Sequence, residues 1–117
     1  MADFKDGTPL SLTLVLAPQY MVAAAHVAAA LEGCGVGIVP QPVDARVLYA
    51  ADPASPLIGR RFDLALFGWL AKAPTVCGAW RSDRIPGAAN AWLGENFSGY
   101  ASAEYDAACR RALTSVD

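Results

Sequence analysis

The sequence predicts an α/β domain, three-layer-like in outline, with the order β-α-β-α-β-α and a mostly parallel sheet. Three observations carry this. A strictly alternating leucine segment near the start is followed by an alanine-rich stretch of strong helix formers. Two further apolar runs follow, with a short capped helical pattern between them. Strands that alternate with helices favour parallel pairing through right-handed crossovers. The 117 residues fit one domain, 1–117.

Leu10 to Leu16 reads Leu-Ser-Leu-Thr-Leu-Val-Leu, which places four leucines on one face of a strand. Pro18 closes it. Gln19 to Glu32 has no internal Gly or Pro and predicts the first helix, with Gly33 and Gly35 as its stop. Val36 to Val39 is a short β-branched strand. Pro40-Gln41-Pro42 ends its pairing or marks it as an edge, because proline cannot donate to a ladder. Asp44 is the expected N-cap of a short helix from Ala45 to about Ala51, with Val47, Leu48 and Ala51 on one side. Asp52 to Pro56 is a loop.

Arg61 to Trp69 holds the third strand, Phe62-Asp63-Leu64-Ala65-Leu66-Phe67, apolar almost throughout as a central strand covered on both faces would be. From Leu70 to Gly99 no period holds. So long an irregular segment is expected to be functional or to pack against another domain. A last helix runs from Ser102 to about Thr114. Glu104 and Asp106 lie in its first turn and Arg110 and Arg111 in its last, which suits the helix dipole. Tyr105, Ala108, Cys109 and Ala112 form the expected buried stripe.

Hydrophobic residues make up 55% and charged residues 17%, richer in apolar character than an ordinary domain. Either the fold is unusually compact or some apolar surface faces a part of the protein outside this sequence. A net charge of -2, with Arg60-Arg61 and Arg110-Arg111 as isolated pairs, argues against nucleic acid. The longest apolar stretch, Tyr20 to Leu31, is well short of the roughly 20 residues of a spanning helix. The first residues lack the basic and apolar regions of a secretion signal. Read alone, this points to the cytoplasm; a piece of a longer secreted protein would look the same.

Cys34, Cys77 and Cys109 are widely spaced, and with a single His no zinc site is expected. Buried thiols are the ordinary reading. One disulfide with one free thiol is the other, and there Cys77 with Cys109 is the pair to test first.

Catalytic chemistry finds little support. His26 would have to serve any Ser-His-Asp or Cys-His arrangement, yet it lies among alanines mid-helix, where a solvated His is ordinary. Gly33-Cys34-Gly35-Val36-Gly37 follows a helix and precedes a strand, the reverse of a phosphate-binding turn. Asp63 is read as a strand-start residue held by a hydrogen bond, with Arg46, Arg60 or Arg61 as candidate partners, rather than as an acid in a site. No spacing rule joins Glu95 to Asp83.

Binding finds more support. In parallel sheets ligands sit beyond the carboxyl ends of the strands. For the third strand that place is Gly68-Trp69. Indoles offer flat apolar area and one donor, so Trp69, just past a strand end, is assigned to a cleft. Trp80 and Trp92 suit either ligand contact or a small core tying down the loop. Lys72 would add charge to the same edge.

These residues resemble the family 5 extracellular solute-binding proteins of ABC importers, the oligopeptide-, dipeptide- and nickel-binding group. Four pieces lie in order along nearly the whole chain: Asp6-Gly7-Thr8-Pro9-Leu10 with the leucine strand; the alanine-rich helix ending in Gly35-Val36-Gly37-Ile38; Phe62-Asp63 through Gly68-Trp69; and Asn96-Phe97-Ser98-Gly99-Tyr100 with Ala103-Glu104-Tyr105-Asp106. The resemblance implies a periplasmic-binding-protein type II-like fold, of which this chain is part of the second large lobe. It implies a binding protein rather than an enzyme, with no cofactor and no metal. The solute would be a peptide or related small molecule. The partners would be the remaining lobe and an ABC permease, and the location extracytoplasmic. Carried over by position, Gly68, Trp69, Leu70, Lys72 and Trp80 would face the solute. Peptide-binding members carry an acid shortly after Gly-Trp that holds the peptide's amino group. Here Leu70-Ala71-Lys72-Ala73-Pro74 has none, and a lysine favours an acidic or neutral ligand. Two other classes stand as alternatives: a self-contained intracellular α/β enzyme, and a protein-interaction module built on the tryptophan loop.

Overall fold

A computed structural model describes residues 9–69 and 77–115. The protein is mixed α/β, and among the described residues three strands form one parallel sheet of order β2-β1-β3. The strands are β1 (Leu10–Leu16), β2 (Val36–Pro42) and β3 (Leu64–Leu66). The helices are α1 (Met21–Glu32), α2 (Ala45–Leu48) and α3 (Ala103–Thr114). The chain divides into two compact units.

The first unit comprises residues up to Tyr49 together with Arg61–Gly68. Its central strand is β1, which pairs with all seven residues of β2 and, through Leu14, Val15 and Leu16, with β3. The alternation of β1 is real: Leu12, Leu14 and Leu16 gather with Ala24, Ala28 and Leu31 of α1, Ile38 of β2 and Leu64 and Leu66 of β3. Fully burying a leucine such as Leu14 or Leu16 contributes about 1.5–3 kcal/mol, so this cluster fixes α1 on the sheet. Leu14, Val15 and Leu16 are all buried, so this stretch of β1 is covered on both faces, the position expected of the third strand. The central place assigned to Phe62–Phe67 is thereby corrected. β3 is a three-residue edge strand whose residues are only half-buried. An apolar run reports burial but not sheet order, which is set by where the connections lead.

Asp63 extends that short edge. Its carboxylate accepts the backbone N–H of Thr13 at 2.8 Å, one position before β3 pairing begins at Leu14–Leu64. The partner is thus the neighbouring strand's backbone rather than an arginine. β2 runs through Pro40 and Pro42 as an edge strand, the second of the two readings above.

A 3-10 turn, Pro18–Tyr20, precedes α1, so the α-helix starts later than Gln19. Gly35 leaves the helix end with φ 83°, a left-handed conformation that glycine adopts without a side-chain clash. Ala24 alone of α1 is fully buried; Met21, Val22 and Val27 are exposed, Val22 at 74%. Asp44 caps α2 by accepting Arg46 N–H at 2.9 Å. The helix stops at Leu48, short of Ala51, and Val47 is exposed while Leu48 is buried.

The second unit comprises Ala50–Arg60 and residues from Trp69 onward. Its described irregular part is built from 3-10 turns at Cys77–Trp80, Ser82–Arg84 and Ala88–Asn90. Buried Asn96 ties the first two together. Its amide nitrogen donates to the carbonyls of Trp80, Arg81 and Tyr100 at 3.1, 3.1 and 2.8 Å, and its oxygen accepts from the Ser98 hydroxyl at 2.8 Å. Satisfying these carbonyls from one side chain replaces the ladder that regular structure would supply.

Cys77 and Cys109 form a disulfide, and Cys34 is free and exposed. The buried-thiol reading is therefore corrected in favour of its alternative. Ser102 caps α3 by accepting Tyr105 N–H at 3.1 Å. The buried residues of α3 are Asp106 and Cys109, with Tyr105 half-buried; Ala108 and Ala112 are exposed. The stripe has rotated because Asp106 finds partners inside: it accepts the Ser82 hydroxyl, and the Ser82 N–H at 2.9 Å.

Candidate binding edge at the carboxyl ends of the strands

In the first unit the candidate site is built on the end of β3. Sheet order β2-β1-β3 means that the chain steps from β1 to one side and later returns to the other. The connection leaving β1 runs to β2, away from β3, so the carboxyl ends of β1 and β3 flank a topological switch point, the kind of place where ligands sit in open parallel sheets. Gly68 lies two residues beyond the carboxyl end of β3. Tyr20, closing the 3-10 turn, lies just beyond the carboxyl end of β1.

These two residues meet. A Cβ placed on Gly68 would stand 2.7 Å from the Tyr20 hydroxyl. A side chain at this position would require the Tyr20 phenol to shift. Tyr49, at the end of α2, approaches the same residue, its hydroxyl donating to the Gly68 carbonyl at 3.2 Å. Partial burial pushes the Tyr49 phenol above its ordinary range, so it remains a protonated donor throughout neutral pH. Gly68 is therefore bracketed by two phenols. Neither tyrosine was singled out from the sequence. The rule that selected Gly68-Trp69, position beyond a strand's carboxyl end, selects Tyr20 when applied to β1.

In the second unit, Trp69 and Trp80 stand edge to face, with ring centroids 6.3 Å apart and planes at 73°. This is a favourable arrangement for two indoles. Trp69 keeps 42% of its surface exposed. The pairing gives Trp80 a structural part beside the partly exposed Trp69 indole. Leu70 and Lys72 lie outside the described residues. Trp92 is half-buried in a left-handed conformation, φ 63°, next to Ala91 at 55°; it shares no ring contact with the other two among the described residues.

The remaining candidates are placed as follows. His26 is exposed on α1. Asp83 and Glu95 do not form a carboxylate pair: Asp83 meets Arg81 at 2.6 Å and Glu95 meets Arg84 at 3.5 Å. Among the described residues no helix is long and apolar enough to cross a membrane, and no cluster of His, Cys, Asp or Glu could hold a metal ion. In the first unit the edge offers phenol hydroxyls and a backbone carbonyl, groups suited to hydrogen bonding. The second unit offers indole faces, suited to stacking.

No family model matches the chain, and no curated protein matches it.

Proposed function

We propose that the chain is part of the second lobe of a solute-binding receptor, of the family 5 type that serves ABC importers. The receptor delivers a peptide or related small molecule to a permease. The observation that carries this reading is the placement of Gly68 just past the carboxyl end of β3, followed at once by Trp69, exposed and paired with Trp80. A binding lobe needs flat apolar area for the solute body and a few fixed polar groups. On this reading the lobe has the periplasmic-binding-protein type II-like fold and closes over solute with a partner lobe, ligand favouring the closed state. It binds and does not transform, without cofactor.

Two further features support the reading. The Cys77–Cys109 disulfide suits an extracytoplasmic location, where disulfides persist. The exposed apolar residues of α1, Met21, Val22 and Val27, suit a protein with further parts to cover them. With Lys72 three positions after Trp69 in the sequence and no acid in the stretch between Trp69 and Pro74, the preferred solute is acidic or neutral.

Titration of this chain with a panel of di- to pentapeptides, followed by calorimetry and tryptophan emission, tests the proposal. Half of the cleft should bind weakly, with dissociation constants of about a millimolar or above. Nanomolar binding by this chain alone, or turnover of any peptide, would overturn it. Fractionation of the source cells gives an independent check: recovery of the native protein as a reduced cytosolic chain of this size contradicts the receptor reading.

A further inference from the structure

We propose that the Tyr20 hydroxyl is a solute contact, donating a hydrogen bond to a carbonyl or carboxylate oxygen of the ligand at the switch point between β1 and β3. This rests on the receptor reading above and assigns to it a residue and a chemistry.

The argument begins with position. In an open parallel sheet the connections beyond the strand ends diverge at the switch point and leave room for a ligand. Of the strands flanking that point, β1 delivers Tyr20 and β3 delivers Gly68. The absent side chain of Gly68 is what lets the Tyr20 hydroxyl stand there, since a Cβ would meet it at 2.7 Å.

The two phenols then differ in what they have left to offer. Tyr49 has committed its proton to the Gly68 carbonyl at 3.2 Å. Its oxygen can accept, but its donor is spent. The Tyr20 hydroxyl makes no hydrogen bond with any described residue, although its ring is half-buried and anchored in the leucine cluster of β1 and α1. A phenol whose ring is packed and whose hydroxyl has no protein partner usually finds one in water or ligand. Its free donor calls for an acceptor oxygen. The stem is held by apolar packing, so little conformational freedom is lost when that bond forms. Tyr49 acts through Gly68 and is a positioning residue.

The test is a nuclear magnetic resonance titration of the whole chain, with tyrosine rings labelled, using trialanine in one arm and trialanine amide in the other. The Tyr20 ring signals should move and saturate. Y20F, which keeps the ring and its packing, should weaken binding by about 5- to 10-fold, the loss expected for one hydrogen bond to a ligand. Weakening in both arms assigns the acceptor as a carbonyl; weakening with trialanine alone assigns it as the terminal carboxylate. Saturable shifts at Gly68 and Trp69 with no movement of Tyr20, and equal affinity in Y20F, would overturn the role of Tyr20 while leaving the receptor reading in place. If no resonance moves with either peptide at tens of millimolar, both fall.

Discussion

The carboxylate of Asp106 accepts two hydrogen bonds from Ser82, one from its hydroxyl and one from its backbone N–H at 2.9 Å. The two residues lie 24 positions apart. This contact holds one turn of the irregular segment against α3. The Ser82 hydroxyl is the main reason that the Asp106 carboxyl titrates below its ordinary range; the Ser82 N–H, Arg110 and Arg81 add to it, and burial opposes.

A pH dependence follows. Because the folded carboxyl is the stronger acid, its contribution to stability is complete above the unfolded value of about 4. That contribution is lost as pH falls through the lower folded value. Urea unfolding measured from pH 7 to pH 2 should therefore show D106N less stable than the wild type at neutral pH, with a shallower loss below pH 4. Parallel curves for the two proteins would show that the Ser82 contact contributes nothing to folding.

Asn96 is the residue on which the second unit depends most. N96A removes the side-chain donor from the carbonyls of Trp80 and Tyr100, while the Arg81 carbonyl keeps the Arg84 N–H at 3.0 Å. With an unsatisfied group costing about 1–3 kcal/mol, chemical denaturation should register a loss of about 1–3 kcal/mol. N96D is expected to be worse, since it sets a carboxylate oxygen against those carbonyls.

The Cys77–Cys109 bond closes a loop across 32 positions. Loop-closure entropy gives such a bond about 3–4 kcal/mol. The paired C77S/C109S variant should lose that much in guanidinium unfolding, and reductant should destabilise the wild type while leaving the variant unchanged. Cys34, exposed and unbonded, should react with a thiol reagent in the folded protein.

Gly68 and Tyr20 should be coupled energetically. G68A drives a methyl into the Tyr20 hydroxyl and should cost about 1–3 kcal/mol, as overpacking does. Removing the hydroxyl relieves the clash, because the next ring atom would be at an ordinary 3.8 Å. In a double-mutant cycle the cost of G68A should fall in the Y20F background. Additive effects would place the two residues apart in solution.

How much of this was legible in the sequence varies with the kind of force involved. The leucine alternation of β1 and the Asp44 cap rest on local chemistry, and the structure places them where that chemistry predicts; the last helix starts one residue after the expected Ser102, which caps it. The rank of strands within the sheet does not rest on local chemistry. Leu64-Ala65-Leu66 looked central and sits at an edge, because pairing partners are chosen by the whole chain. The stripe of α3 was misplaced for a different reason. An aspartate reads as a surface residue until a distant serine supplies its partners, and Ser82 lies beyond any helical period. At the site, Gly68-Trp69 stood out as an interruption in an apolar run. Tyr20 and Tyr49 did not, since tyrosine beside a proline or at a helix end is unremarkable until Gly68 brings the phenols together.

Pro40 and Pro42 occupy alternate positions on β2, paired with Leu14 and Leu16 across the ladder. Both therefore turn the same side of the strand outward, and over the Pro40–Pro42 stretch that side has no N–H to give, whereas Val36 and Ile38 keep theirs. A foreign strand arriving at the proline stretch would find acceptors without donors and could not zip up there. Recruitment of another strand, whether from this protein or in a misassembled aggregate, is thus disfavoured along the second half of β2.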